Sequence, residues 1–178
     1  MTPGTAPTRA RRPIHFFLGA ICLTLAVFWL YAIFFYSPDK RNVVGDKSWS
    51  EWAQSECVTS VEKRNKLADY TKLDGTKEAL IKRAQLVEQA TNDLENLIKT
   101  LRTRTPSDPK GAAIVPKWLT DYDTYINDRL DYVATLRQGQ NKVFAETAVE
   151  GVPISERLTT FATDNAMDDC APPTDVAG

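Results

Sequence analysis

Trp118, Tyr125 and Tyr132 recur at seven-residue steps, and Arg129 falls four residues after Tyr125 and three before Tyr132. On a helix these spacings make the four side chains neighbours, with the guanidinium in cation–π reach of either phenol ring. Two readings follow. One is an aromatic surface or cleft for a small molecule, a lipid or a partner protein. The other is a central helix that buries two faces, with the tyrosine hydroxyls reaching its rim. So wide an apolar stripe favours burial.

Four carboxylates crowd the same segment: Asp121, Asp123, Asp128 and Asp131. Asp121 and Asp123 begin a spacing like that of a calcium loop, but Ile126 stands where the loop requires glycine. A carboxylate pair for glycoside chemistry is open to the sequence; a solvated acidic face is the simpler reading. No metal site is expected. His15 is the sole histidine, so the chain after the apolar segment has no imidazole for proton transfer or metal ligation. Gly-x-Ser-x-Gly, phosphate-loop and Cys-x-x-Cys patterns do not occur. No catalytic residue and no cofactor is therefore assigned, and catalysis is disfavoured.

Cys57 and Cys170 are the two cysteines outside the apolar segment. An even pair in an exported domain predicts a disulfide, because the compartment permits one. Cys22 lies within the apolar segment and reads as a packing residue.

These residues need elements to position them. Ile14 to Tyr36 contains no Asp, Glu, Lys or Arg. At the helical rise its 23 residues reach about 35 Å, enough to cross a hydrocarbon core of about 30 Å. Trp29, Tyr31 and Tyr36 form an interfacial belt at its far end, and Pro38 stops the helix. The run is too long for a cleaved signal peptide and ends on bulky residues, which predicts a signal anchor. Arg9, Arg11 and Arg12 precede it and no acid occurs before Asp39, so the positive-inside rule places residues 1–13 in the cytoplasm. The remainder carries 19 basic against 23 acidic side chains, a net of −4. That mild acidity offers no field for phosphate backbones, and no nucleic-acid partner is expected.

Beyond the span, residues 37–48 read as a linker. Ser48 and Glu51 make a capping box for a helix whose inward face would carry Trp52, Cys57, Val61 and Ala68. Asp74-Gly75 interrupts the chain. Leu80, Ala84, Val87, Thr91, Leu94, Ile98 and Leu101 then alternate steps of four and three, a core seam with one polar member. Glu78–Lys82 and Glu95–Lys99 add pairs in the favourable order, and Thr105-Pro106 ends this helix. A further helix starts near Asp108-Pro109 or at Pro116, with a stripe of Leu119, Tyr122, Ile126, Leu130, Val133 and Leu136, and closes at Gly139. Residues 143–154 fit a small hairpin or an ordered loop. Ser155 caps a short helix through about Asn165, with Leu158, Phe161 and Ala162 on one side. The proline-rich tail from Ala171 reads as flexible.

The expected fold is therefore mainly α. One N-terminal transmembrane helix (14–36) precedes an extracytoplasmic antiparallel bundle of three to four helices (49–170), followed by the tail 171–178. The segments 118–122, 128–132, 136–139 and 153–158, with Phe161-Ala162, Asn165 and 170–173, resemble a set of small membrane-anchored actinobacterial proteins that carry no assigned activity. The match covers most of 50–173. It implies a Gram-positive-type envelope protein and supplies no catalytic residues. The expected function is a non-enzymatic accessory or protein-interaction module in the cell envelope, its partners the membrane and another envelope protein. The alternative is a small-molecule or lipid-binding domain that uses the aromatic side carrying Trp118, Tyr125, Arg129 and Tyr132.

Overall fold

The computed structural model describes residues 12–35, 42–67 and 75–175, in two compact units divided after Lys40. The first unit contains α1 (Arg12–Phe35). Its 24 residues reach about 36 Å, and none of the side chains from Phe16 to Ile33 is buried against protein. This helix is long and apolar enough to cross a membrane. Its hydroxyl at Thr24 donates to the Ala20 carbonyl at 2.9 Å, which satisfies the group within the helix. The belt residue Tyr36, the stop at Pro38 and the arginines Arg9 and Arg11 lie outside the described residues.

The second unit contains α2 (Lys47–Asn65), α3 (Lys77–Leu101), α4 (Pro109–Arg137), the short strands β1 (Ala148–Val149) and β2 (Val152–Pro153), α5 (Ile154–Asp164) and a 3-10 turn (Asp168–Cys170). The α3 seam is as predicted: all seven of its members, from Leu80 to Leu101, are buried. The polar member, Thr91, bonds the Val87 carbonyl at 2.6 Å and is thereby tolerated inside. Contacts Arg102–Asp123, Thr91–Arg129 and Glu88–Arg137 run in opposite chain directions, so α3 and α4 lie antiparallel. The predicted Glu95–Lys99 pair forms at 3.2 Å.

Helix α4 is continuous from Pro109, with Pro116 inside it, so the later start at Pro116 is not used. Three seven-residue lines turn inward: Trp118, Tyr125 and Tyr132; Leu119, Ile126 and Val133; and Val115, Tyr122, Arg129 and Leu136. The predicted stripe needs one correction. Leu130 is 40% exposed, because it belongs to the outer line of Pro116, Asp123 and Arg137. Arg129 goes inside instead.

The start of α2 also departs from expectation. Its cap is Asp46, whose carboxylate accepts from the Trp49 amide at 3.0 Å; Ser48 lies within the first turn and donates to Asp46 at 2.7 Å. The inward face is Trp49, Ala53, Cys57, Ser60 and Arg64, while Trp52 and Val61 are half-buried and Ala68 lies outside the described residues. Cys57 is common to the expected and the observed faces; Trp49 and Ala53 take the inward positions on either side of the expected Trp52. Asp108 caps α4 through the Gly111 amide at 2.7 Å and also accepts from the Asp46 amide at 2.8 Å. Asp46 in turn accepts from the amide and hydroxyl of Ser107, at 2.9 and 2.7 Å. The two caps thus lash two helix starts together. The Ser48 hydroxyl, then the Ser107 and Trp49 donors, hold the Asp46 carboxyl well below the usual carboxylate range. Gly111 is required here, since a Cβ would lie 2.5 Å from an Asp108 oxygen.

Residues 148–153 form the hairpin, with Ala148 opposite Pro153 and Val149 opposite Val152. Its two central residues, Glu150 and Gly151, have φ of 54° and 80°, the primed turn that matches strand twist. Helix α5 begins at Ile154, one residue before the predicted cap. Ser155 instead gives its amide and hydroxyl to the Glu146 carboxylate, both at 2.8 Å, so the preceding loop supplies the acceptor. Leu158, Phe161 and Ala162 are buried as expected. Asn165, at the end of α5, ties residues 42–44 into the fold: its amide bonds the Asn42 carbonyl and its oxygen accepts from the Val44 amide, both at 2.7 Å.

Candidate functional site

Cys57 on α2 and Cys170 in the 3-10 turn form a disulfide, with their Cα atoms 5.1 Å apart. Both are buried. Cys22, on α1, is free and exposed.

Directly after Cys170 the chain runs as a strap over α4, and it is here that the predicted aromatic residues are used. The tail from Ala171 does not hang loose through Asp175; Pro172 is buried. Three polar heads on successive turns of α4 hold the strap. The Tyr122 hydroxyl donates to the Cys170 carbonyl. The Tyr125 hydroxyl donates to the Pro173 carbonyl at 2.8 Å. Arg129 grips the Asp175 carboxylate with both terminal nitrogens, at 2.6 and 2.8 Å, and its Nε donates to Thr91 at 2.8 Å. Its guanidinium also lies 5.7 Å from the Tyr125 ring centroid, the cation–π contact anticipated. Residues 176–178 of the tail lie outside the described residues.

Of the two readings of these residues, burial is the one the structure shows, and the candidate ligand or partner surface is not an open one. Trp118, Tyr125, Arg129 and Tyr132 are all buried. Trp118 stacks on Phe161 at 4.8 Å, and Tyr132 meets Phe144 edge-on at 5.6 Å. The structure brings Tyr125 and Arg129 together under the strap and puts Trp118 and Tyr132 into the core on either side.

The electrostatics are those of an anion socket. Besides Arg129, Arg83 on α3 donates from Nη2 to the Asp175 backbone carbonyl. Arg64 on α2 is buried, with Nη1 on the Ser60 hydroxyl at 2.6 Å, and its charge also bears on Asp175. Burial raises the Asp175 carboxyl, but the hydrogen bonds and charge of Arg129 outweigh it and hold the group below its ordinary value. Burial likewise pulls the Arg129 guanidinium down, and Asp175 more than restores it. Burial pushes the Tyr122 and Tyr125 phenols up, so neither is poised as a base. The chemistry this arrangement supports is recognition of a carboxylate.

The acidic side of α4 is mostly spent on structure. Asp121 pairs with Arg157 at 2.9 Å, Asp123 with Arg102 at 2.5 Å, and Asp128 accepts from the amide and hydroxyl of Thr147. Asp131 is exposed. The expected solvated acidic face holds at Asp123 and Asp131, which are exposed, while Asp121 and Asp128 are half-buried in their contacts. Among the described residues no cluster of His, Cys, Asp and Glu could hold a metal ion. An open groove of about 280 Å³ lies between the end of α3 and the start of α4, lined by Leu101, Arg104, Pro106, Pro116 and Leu119, away from the strap.

Sequence reasoning singled out Tyr125 and Arg129 but not Asp175, Arg83 or Arg64. The available signals were an arginine in the otherwise inward line of Val115, Tyr122 and Leu136, and a threonine in the α3 seam. Each marks a polar group that must find a partner inside. No family model, curated protein or solved structure matches the chain.

Proposed function

We propose that this protein is a membrane-anchored, extracytoplasmic helical bundle with a non-enzymatic accessory or protein-interaction role in the cell envelope. The observation that carries the reading is the burial of Trp118, Tyr125, Arg129 and Tyr132 beneath the strap and within the core. The side expected to line a small-molecule or lipid cleft is already filled by the chain itself. What is left for recognition is the outer surface and the strap, and an anchor raises the effective concentration of such a module near membrane partners. The resemblance to small actinobacterial membrane-anchored proteins supports the same setting.

The orientation rests on Arg9 and Arg11 before α1, Arg12 at its first position, and the disulfide after it. A phosphatase that is active only outside the cytoplasm, fused after Gly178, is expected to be active in cells; an inactive but intact fusion would reverse the topology. For the role itself, purification of the full chain in mild detergent is expected to recover one reproducible protein partner. Native mass spectrometry that finds instead a retained lipid or metabolite, and no protein, would favour the ligand-binding alternative.

A further inference from the structure

The strap over α4 satisfies its socket incompletely. Arg129 lies at the floor with its side chain 0% exposed, while the Asp175 side chain that covers it is 36% exposed. An anion arriving from solvent therefore reaches the same position without crossing the core. A guanidinium so deeply placed is costly to leave unpaired, so the strap can leave only in exchange for another anion. Arg83 supplies the second observation. Its Nη2 donates to the Asp175 backbone carbonyl, while its Nε, on the same edge of the guanidinium, is buried with no hydrogen-bond partner among the described residues. That edge is built to hold two oxygens side by side, and an amide carbonyl offers one. In the strap the Asp175 carbonyl continues into Val176, so the second oxygen is missing.

We infer that the socket formed by Arg83, Tyr125 and Arg129 is a binding site for a partner segment that ends in a free aspartate, and that strap residues 171–175 occupy it as a resident, weaker mimic. The incoming side-chain carboxylate takes the Arg129 fork. Its terminal α-carboxylate takes both donors on the Arg83 edge. A carbonyl two residues earlier accepts from Tyr125, as Pro173 does now. An extended, proline-containing segment enters at low entropic cost, because its shape is already set. This deepens the interaction role proposed above by naming the partner's chemistry, and it rests on that role for its setting.

The test uses the full chain in detergent and a fluorescein-labelled peptide, Ala-Pro-Pro-Thr-Asp, with either a free or an amidated carboxyl end. Asp175→Asn weakens the resident contact. This variant is expected to bind the free-acid peptide at least tenfold more tightly than the wild type does, and at least tenfold more tightly than it binds the amide. Arg83→Lys in the Asp175→Asn background keeps the charge, loses the two-donor edge and should abolish the preference for the free acid. Equal binding of acid and amide, competition by succinate as effective as by the peptide, or no binding to a folded variant would overturn the inference. Should Asp175→Asn fail to fold, the wild type decides: excess free-acid peptide must shift the Thr174 and Asp175 amide resonances, and unchanged resonances overturn it. Peptide binding alongside an empty partner purification would keep the socket and remove the accessory role. A partner recovered equally well with and without Arg83→Lys would do the reverse.

Discussion

Leu94→Asp is expected to leave the second unit unfolded at 25 °C, while Glu95→Gln, its neighbour in sequence, leaves the melting curve within error of the wild type. Leu94 is 1% exposed, at the middle of the α3 seam and in the larger of the two core clusters. Removing its burial loses about 1.5–3 kcal/mol. An unpaired carboxylate in the same place costs several kcal/mol more, or takes up a proton at a comparable cost. The total of roughly 5 kcal/mol or more is comparable with the whole stability of a typical domain, about 5–15 kcal/mol. Glu95 is half exposed and pairs with Lys99 on its own helix. Exposed pairs of that spacing are worth about 0.3–0.5 kcal/mol. Circular dichroism and limited proteolysis of the two variants separate these outcomes. Equal tolerance of both changes would mean that the α3 seam does not face a core.

Loss of the Cys57–Cys170 bond is the second large effect. The bond closes a sequence separation of 113 residues. In the chain-entropy account a loop near that length restrains the unfolded chain by about 4–5 kcal/mol. Cys57→Ser and Cys170→Ser should each lower the melting temperature by roughly 16–20 °C, taking about 4 °C per kcal/mol for a unit of this size. Because the two variants remove one and the same cross-link, the double variant should fall little further than either single one. Non-reducing peptide mapping of the full chain isolated from cells without reductant should show one cross-linked fragment pair holding both residues. Full labelling of both thiols in unreduced material, or additive losses in the double variant, would refute the cross-link. The bond also fixes the start of the strap, since Tyr122 holds the Cys170 carbonyl and the contacts to Tyr125 and Arg129 follow within five residues. Reduction should therefore loosen the grip on Asp175 as well as lower the stability.

The sequence alone determined the features that rest on composition and short-range period. The uncharged run that becomes α1, the α3 seam from Leu80 to Leu101, and the Leu158, Phe161 and Ala162 face of α5 were legible because a long apolar run and an inward helix face are each a local pattern. The Cys57–Cys170 pairing was legible by count, since two cysteines allow one connection. Tertiary structure decided whatever depended on polar groups meeting across long stretches of chain. Asp46 caps α2 and also binds Ser107, 61 residues away, so the local Ser48–Glu51 signal lost to a carboxylate that serves two helix starts. Glu146 rather than Ser155 supplies the acceptor at the start of α5, because the hairpin between them folds it back onto the helix start. Leu130 reads as core by its hydrophobicity, and Arg129 reads as a companion of Tyr125 and Tyr132 by its spacing, with nothing local to name its buried partners. The fold leaves Leu130 exposed and buries Arg129, because Arg129 stands on an inward line of α4 and finds Thr91 and Asp175 there. The strap was read as loose because proline-rich sequence has no period of its own. Its order comes from Tyr122, Tyr125 and Arg129, 46 to 48 residues earlier in the chain, and a side-chain hydrogen bond over such a separation leaves no trace in the local pattern of either segment.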